Sequence, residues 1–229
     1  MPAEFHFEER CVAIPPSGII GDLTLAPGAD GIVIFAHGSG SSRLSSRNRY
    51  VAGILQQANL ATLLLDLLTA DEEQIDLRTR HLRFDIGLLA NRLVEAALWM
   101  ADQPAAARLP AGYFGASTGA AAALIAAAQL PQSTRAVVSR GGRPDLAGAS
   151  LPKVKAPTLL IVGGHDDVVI ELNEKALKDL RCEKKLEIVP GATHLFEEPG
   201  TLEQAATLAK NWFQRHLAAP GASAASASD

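Results

Sequence analysis

Short apolar runs alternate with amphipathic stretches along most of the chain, and this alternation predicts strands alternating with helices. Consecutive apolar positions are typical of a strand buried on both faces of a parallel sheet, whereas apolar residues spaced three or four apart predict a helix with one buried face. The predicted strands are 32–36, 61–67, 111–115, 135–139, 157–162 and 185–189, and the predicted helices are 50–58, 80–102, 120–130, 171–181 and 200–217.

Two alternating segments, 4–14 and 18–26, come before these units and are joined by the turn cluster Pro15-Pro16-Ser17-Gly18, which predicts an antiparallel hairpin at one edge. The acidic stretch 69–76 is predicted to be a loop, and 140–156 is too short for a large cap. Strands alternating with helices indicate the α/β class, with a mostly parallel twisted sheet of about seven or eight strands and helices on both faces.

The composition is that of a globular protein. A chain of 229 residues can bury a full core, and we predict one domain over 1–217 and a disordered Ala/Ser-rich tail over 218–229. The net charge of −4 gives no reason to expect a nucleic acid or an anionic membrane as a partner. The chain has no secretory N-terminus and no run of about 18 apolar residues, so the expected location is the cytoplasm, as a monomer or homodimer.

The pentapeptide Gly115-Ala116-Ser117-Thr118-Gly119 lies between a short apolar run and an alanine-rich run that favours helix. It matches G-x-S-x-G, the pattern of a serine held on a sharp strand-to-helix turn. A glycine on each side allows that turn without a side-chain clash. Ser117 is therefore the predicted nucleophile.

A serine hydroxyl needs a base within hydrogen-bonding reach, and histidine titrates in the appropriate range. The histidines are His6, His37, His81, His165, His194 and His216. His194 is the predicted base, because it follows the last predicted strand and completes the chain order Ser, Asp, His. His37 is expected to have a structural role.

The base needs a carboxylate that holds its tautomer and stabilises the imidazolium. Asp166 and Asp167 both follow a predicted buried strand and precede His194. Adjacent side chains point in different directions, so only one of the two can serve. The chemistry of the residues alone leaves this choice open.

An oxyanion that develops on the substrate needs two backbone N–H donors. The residue after the nucleophile, Thr118, is expected to supply one of them. Ser39 is expected to supply the other, because it lies in His37-Gly38-Ser39-Gly40, directly after a predicted strand.

These segments resemble the serine α/β-hydrolase superfamily, in particular its dienelactone-hydrolase-like branch. The matching segments are 37–40, 115–119, 163–169 and 191–194. The resemblance implies the α/β-hydrolase fold with a minimal cap, and it favours Asp166 as the acid, since in the family two variable residues and then Val follow that position. Dienelactone hydrolases proper carry cysteine where this chain has Ser117. The chain also resembles small hydrolases that occur joined to phosphoribosyltransferase domains.

Several arginines fall in loops at the same predicted edge of the sheet: Arg43, Arg47, Arg140 and Arg143. A guanidinium can bind a carboxylate or a phosphate through paired N–H donors. Arg140, directly after a predicted central strand, and Arg43 are the predicted substrate-binding residues. The alternative is that these arginines are solvated or hold the loops together.

These residues together predict a hydrolase that cleaves a small carboxylic ester or lactone, anionic if the arginines bind it, through an acyl-enzyme. No metal or organic cofactor is expected, because serine, base and oxyanion hole suffice for this chemistry. Cys11 and Cys182 match no metal or redox spacing and are expected to be reduced thiols. Two alternatives stay open, namely an acyltransferase with the same residues and a non-catalytic binding protein on the same scaffold.

Overall fold

The computed structural model describes residues 7–217. The predicted tail 218–229, His6 and the first residues of the predicted hairpin lie outside the described residues. The strands are β1 (Glu8–Ile14), β2 (Ile19–Leu25), β3 (Gly31–Ala36), β4 (Leu60–Leu65), β5 (Ala111–Ala116), β6 (Thr134–Arg140), β7 (Thr158–Gly163) and β8 (Lys184–Val189). The α-helices are α1 (Ser46–Gln57), α2 (Ala70–Thr79), α3 (Ile86–Ala101), α4 (Thr118–Gln129), α5 (Asp167–Asp179) and α6 (Thr201–Leu217).

The eight strands form one sheet in the order β1-β2-β4-β3-β5-β6-β7-β8. β1 and β2 form an antiparallel hairpin, and β2 also pairs antiparallel with β4. The remaining neighbours pair in parallel. The predicted α/β class, with a mostly parallel sheet and a hairpin at one edge, is confirmed.

Helices cover both faces of the parallel strands, which explains the uninterrupted apolar runs of the central strands β3 and β7, whereas the edge strand β8 carries charged residues. In β3, Ile32 and Ile34 belong to the core on the side of α3 and α4, whereas Val33 and Phe35 belong to the core on the side of α1 and α6. Successive side chains of a strand point to opposite faces, so each parallel strand contributes to both cores.

The structure differs from the prediction between β4 and β5. Most of the predicted loop 69–76 belongs to α2, because Thr69 begins a capping box in which its side chain accepts from the N–H of Glu72 and its own N–H donates to the Glu72 carboxylate. The predicted helix 80–102 begins only after Asp85, whose side chain caps the N-terminus of α3. A short 3-10 turn precedes it.

The register of the parallel strands brings their carboxyl ends to one edge. Ala36, the last residue of β3, lies opposite Gly115, and Gly163 at the end of β7 lies opposite Val189 at the end of β8. The loops after these strands therefore meet at this edge, where sites of open α/β sheets form. The connection after β6 consists of short 3-10 turns over Pro144–Lys153 rather than a helical cap.

Candidate active site

Ser117 occupies the turn between β5 and α4 with φ 51° and ψ −123°. A residue other than glycine rarely adopts these backbone angles, and holding Ser117 in them costs about 1–3 kcal/mol. Two backbone hydrogen bonds fix the turn: the Ser117 N–H donates to the carbonyl of Arg140 at 3.4 Å, and the Arg143 N–H donates to the Ser117 carbonyl at 3.0 Å. Hydrogen bonds to the end of β6 and to the loop after it thus stabilise the strained conformation of Ser117.

His194 and Asp166 form a hydrogen-bonded pair on the loops after β8 and β7. The Nδ1–H of His194 donates to Oδ2 of Asp166 at 2.6 Å, which leaves Nε2 as the ring nitrogen available for proton transfer. Asp166 is therefore the carboxylate that accepts from the imidazole, whereas Asp167 is exposed at the start of α5. The two loops touch closely, since a Cβ added to Gly163 would lie 2.5 Å from the carbonyl oxygen of Ala192.

Ser117 and His194 line the same pocket, which has a volume of about 240 Å³. The other lining residues come from the loop after β3, the first turn of α1 and the ends of β5, β6 and β8: Gly38, Ser39, Ser41, Ser45, Arg47, Asn48, Ala116, Arg140, Gly141 and Leu195. Of the predicted site residues, the structure thus brings Ser117, His194, Ser39 and Arg140 to one cavity.

The side chains of Ser39 and Thr118 are hydrogen-bonded to each other at 2.9 Å. The Ser39 hydroxyl donates to the carbonyl of Arg83 at 3.1 Å, so the Thr118 hydroxyl is the donor of the bond between them. Arg83 is itself held by the buried carboxylate of Asp76, which accepts from its backbone N–H and from its guanidinium. Burial alone would raise the pKa of Asp76, but these bonds lower it below its usual range.

The N–H groups of the same two residues are the predicted oxyanion donors. Thr118 is the first residue of α4, so its N–H has no acceptor within the helix. Within residues 7–217, no backbone carbonyl accepts from the N–H of Ser39. Both donors therefore remain available beside Ser117.

His37 holds the loop that carries Ser39. Its Nε2 accepts from the N–H of Leu67 at 3.1 Å, and its Nδ1–H donates to the carbonyl of Gly38 at 2.9 Å. Burial lowers the pKa of His37, and this effect outweighs the opposing influence of the Gly38 carbonyl and of Asp66. Because Nε2 accepts an N–H, the ring is neutral in this arrangement, and both of its nitrogens hold the backbone.

Arg140 is a buried cation without a carboxylate partner among the described residues. The residue is 6% exposed, and its Nε has no acceptor among the described residues. One Nη donates to Oδ1 of Asn48 at 3.4 Å, and the guanidinium carbon lies 5.6 Å from the centre of the Phe196 ring. Burial, followed by the nearby charge of Arg47, lowers the pKa of Arg140 to about 10, so the guanidinium stays charged at neutral pH.

The other arginines of this edge differ in their partners. Arg43, the second predicted substrate-binding residue, forms ion pairs with Asp22 and Asp66 and does not line the pocket. Arg47 lines the pocket and pairs with Glu197.

Two residues that contact Arg140 are not predicted from the sequence. Asn48 is buried in the first turn of α1, and Phe196, which packs against Arg140, follows His194 by two positions. Neither carries a local signal, because each contacts Arg140 only through the fold. The alternative bases lie elsewhere: His81 and His165 are exposed, and His216 packs against Trp212 on α6.

Within the described part of the chain, His, Cys, Asp and Glu side chains form no cluster suited to a metal ion, and no helix is both long and apolar enough for a membrane span. The described residues have the α/β-hydrolase fold. Its features are the eight-stranded sheet, a serine on the turn after β5, and a hydrogen-bonded His–Asp pair on the loops after β8 and β7.

The chain belongs to the dienelactone hydrolase family, whose model matches residues 69–218. Membership of this family indicates that the chain is a hydrolase. A dienelactone hydrolase from Anabaena variabilis is 60% identical in sequence and superimposes with a TM-score of 0.90, over 93% of this chain and 99% of that one. Est1E from Butyrivibrio proteoclasticus shares the fold at 16% identity, with a TM-score of 0.74 over 90% of this chain and 98% of its own.

A curated protein of Mycobacterium tuberculosis strain H37Rv, provisionally named a phosphoribosyl transferase, is 60% identical over 216 residues. The match covers 94% of this chain but 48% of that protein, so the chain spans about half the length of this relative.

Proposed function

We propose that the chain is a serine hydrolase that cleaves a carboxylic ester or lactone through an acyl-enzyme. One observation carries the proposal: Ser117, held in a strained turn, shares a pocket with His194, whose Nδ1–H is bonded to Asp166. A serine on such a turn, a histidine and a carboxylate that orients it are the three groups that acyl transfer through a serine requires.

In the first half-reaction, the Ser117 hydroxyl attacks the carbonyl carbon while Nε2 of His194 takes its proton. Asp166 stabilises the resulting imidazolium through the hydrogen bond at Nδ1. The N–H groups of Ser39 and Thr118 stabilise the oxyanion of the tetrahedral intermediate. Its collapse breaks the ester bond, and His194 returns the proton to the leaving alkoxide, so that an alcohol and an acyl-Ser117 ester result.

In the second half-reaction, water takes the place of the alcohol. His194 accepts a proton from the water as its oxygen attacks the acyl carbon, and the same two N–H groups again stabilise the oxyanion. Collapse releases the carboxylic acid and returns the proton to Ser117. For a lactone, the alcohol and the acid belong to one hydroxy-acid product.

The experiment is labelling with a fluorophosphonate probe, followed by mass spectrometry of the labelled peptide, together with hydrolysis of aryl esters. We expect the wild type to be labelled at Ser117 and to hydrolyse the esters. Ser117→Ala should lose both, and His194→Gln should reduce kcat by a factor of about 10³–10⁶.

Ser42→Ala is the matched control, because Ser42 lies on the nearby loop after β3 but does not line the pocket with Ser117. It should be labelled like the wild type. Labelling that persists in Ser117→Ala, or wild-type protein that neither reacts with the probe nor turns over any ester, would disprove the proposal. The second outcome would favour the non-catalytic alternative.

Acyl transfer to an acceptor other than water uses the same residues and remains the alternative reaction. Product analysis with added alcohols or amines separates the two, since a transferase yields the new ester or amide rather than the acid. The name of the mycobacterial relative does not assign phosphoribosyl transfer to this chain, which matches 48% of that protein.

A further inference from the structure

The first turn of α1 opens into the active-site pocket and carries an unusual set of charges. Ser45 caps the helix by accepting from the N–H of Asn48, and the first turn contains Arg47 and Arg49 but no acidic residue; Arg49 pairs with Asp22 of β2, whereas Arg47 lines the pocket. Within residues 7–217, the N–H groups of Ser46 and Arg47 have no acceptor. A helix N-terminus carries partial positive charge, so cationic side chains are unfavourable there unless an anion binds.

A second and independent feature of the same pocket is the charge of Arg140. This side chain comes from the end of β6, which lines the same cavity, and is buried to more than nine-tenths. Its acceptor is the neutral Oδ1 of Asn48 at 3.4 Å, a long hydrogen bond, and its Nε has none. Buried charges are normally paired. Here the fold holds a guanidinium at the pocket with no carboxylate beside it.

The carboxylates near the pocket do not neutralise this cluster of charges. Asp166 is engaged by His194, and Glu197 pairs with Arg47 at 3.1 Å. The side chain of Glu197 is 63% exposed, and such surface pairs contribute little, so Arg47 can exchange this partner for a ligand.

We propose that Arg140, Arg47 and the N-terminus of α1 form a phosphate-binding subsite beside Ser117, so that the ester or lactone substrate carries a phosphate group. Two guanidiniums and the free N–H groups of a helix N-terminus suit a group with two negative charges and three acceptor oxygens. A carboxylate carries one charge and would leave part of this positive charge uncompensated. That the subsite serves a substrate rests on the proposed function, but binding of phosphate to it does not.

The test measures binding of inorganic phosphate to the Ser117→Ala protein by calorimetry at pH 7.5, with acetate at equal ionic strength as the carboxylate probe. We expect phosphate to bind more tightly than acetate. Adding Arg140→Met should weaken phosphate binding by at least about tenfold, and adding Arg47→Gln by about three- to tenfold, as expected for lost charge-assisted hydrogen bonds.

Arg135→Gln is the matched control, because Arg135 is an exposed arginine at the opposite end of the same strand as Arg140. It should change the phosphate affinity by less than about twofold. Arg140→Lys, which keeps the charge but not the planar fork, should bind phosphate with intermediate affinity and replaces Arg140→Met if that variant does not fold. Equal affinity for phosphate and acetate, no measurable phosphate binding, or equal losses in Arg135→Gln would each overturn the proposal.

Fluorophosphonate labelling of the wild type and of Arg140→Met separates this proposal from the previous one. Phosphate should protect Ser117 of the wild type from the probe but should not protect Ser117 of Arg140→Met. Phosphate binding without any labelling would retain the subsite and remove the reaction. Labelling without phosphate binding would retain the reaction and remove the subsite.

Discussion

Arg140→Met should make the protein more stable while it removes the proposed phosphate subsite. The guanidinium of Arg140 is buried and forms no ion pair with any described residue, so its charge opposes folding. Methionine is similar in length, adapts to irregular space and carries no charge. The substitution therefore removes the penalty without opening a large cavity.

The size of the effect follows from the pKa. Lowering the pKa of Arg140 from its ordinary value near 12.5 to about 10, at about 1.36 kcal/mol per pKa unit, corresponds to a penalty of about 3 kcal/mol for the charged form in the folded state. The unfolded chain does not pay it, so below pH 10 the whole penalty is present. The contact with Phe196, worth about 0.5–2 kcal/mol, offsets part of it. We expect a net stabilisation of about 1–3 kcal/mol.

Urea unfolding at pH 7.5 in a phosphate-free buffer, followed by circular dichroism, measures this difference. Arg135→Met is the control and should lie within about 0.5 kcal/mol of the wild type, because Arg135 is exposed. Added phosphate should stabilise the wild type but not Arg140→Met, since a ligand stabilises only the form that binds it. A variant that is less stable than the wild type by 1 kcal/mol or more would refute the reasoning, and would show that the contacts of Arg140 outweigh its burial.

Three further predictions concern Gly119, Ser39 and His37. Gly119→Ala should lower the free energy of unfolding by about 3 kcal/mol or more, because the new Cβ would lie 2.4 Å from the carbonyl oxygen of Ala36. Gly53→Ala, whose new Cβ would have nothing within 4 Å, should raise it by about 0.5–1 kcal/mol. Thermal unfolding compares the two variants. Ser39→Ala should lower kcat about tenfold at unchanged KM, since losing its two hydrogen bonds removes about 1–2 kcal/mol of positioning, and a parallel rise in KM would contradict that role. Burial lowers the pKa of His37 in the folded protein, so below pH 6.5 the unfolded chain binds a proton at His37 that the folded chain does not. The free energy of unfolding should therefore fall with decreasing pH more steeply in the wild type than in His37→Gln, by up to about 1.4 kcal/mol per pH unit. Equal pH slopes in urea titrations of the two proteins would exclude this.

The elements with strong local patterns could be predicted from the chain alone. The unbroken apolar run of β3 and the G-x-S-x-G turn around Ser117 depend on neighbours within a few residues, and those neighbours are visible in the sequence. The helix α2 was missed although its signal is also local. Thr69 and Glu72 have capping-box spacing, but the acidic composition of 69–76 led to the prediction of a loop.

The choice between residues of the same type was left to tertiary structure. Asp166 and Asp167 are adjacent and chemically alike; apart from the family pattern, only the approach of the loop that carries His194 distinguishes them. Arg43 lies in the loop after β3 and Arg140 ends β6 at the same edge of the sheet. The fold gives Arg43 two carboxylate partners, Asp22 and Asp66, and gives Arg140 none among the described residues. Whether two side chains that are tens of residues apart in sequence pair depends on the register of the strands and on which loops meet. Composition and periodicity cannot predict such pairs, because they describe only a residue and its neighbours along the chain.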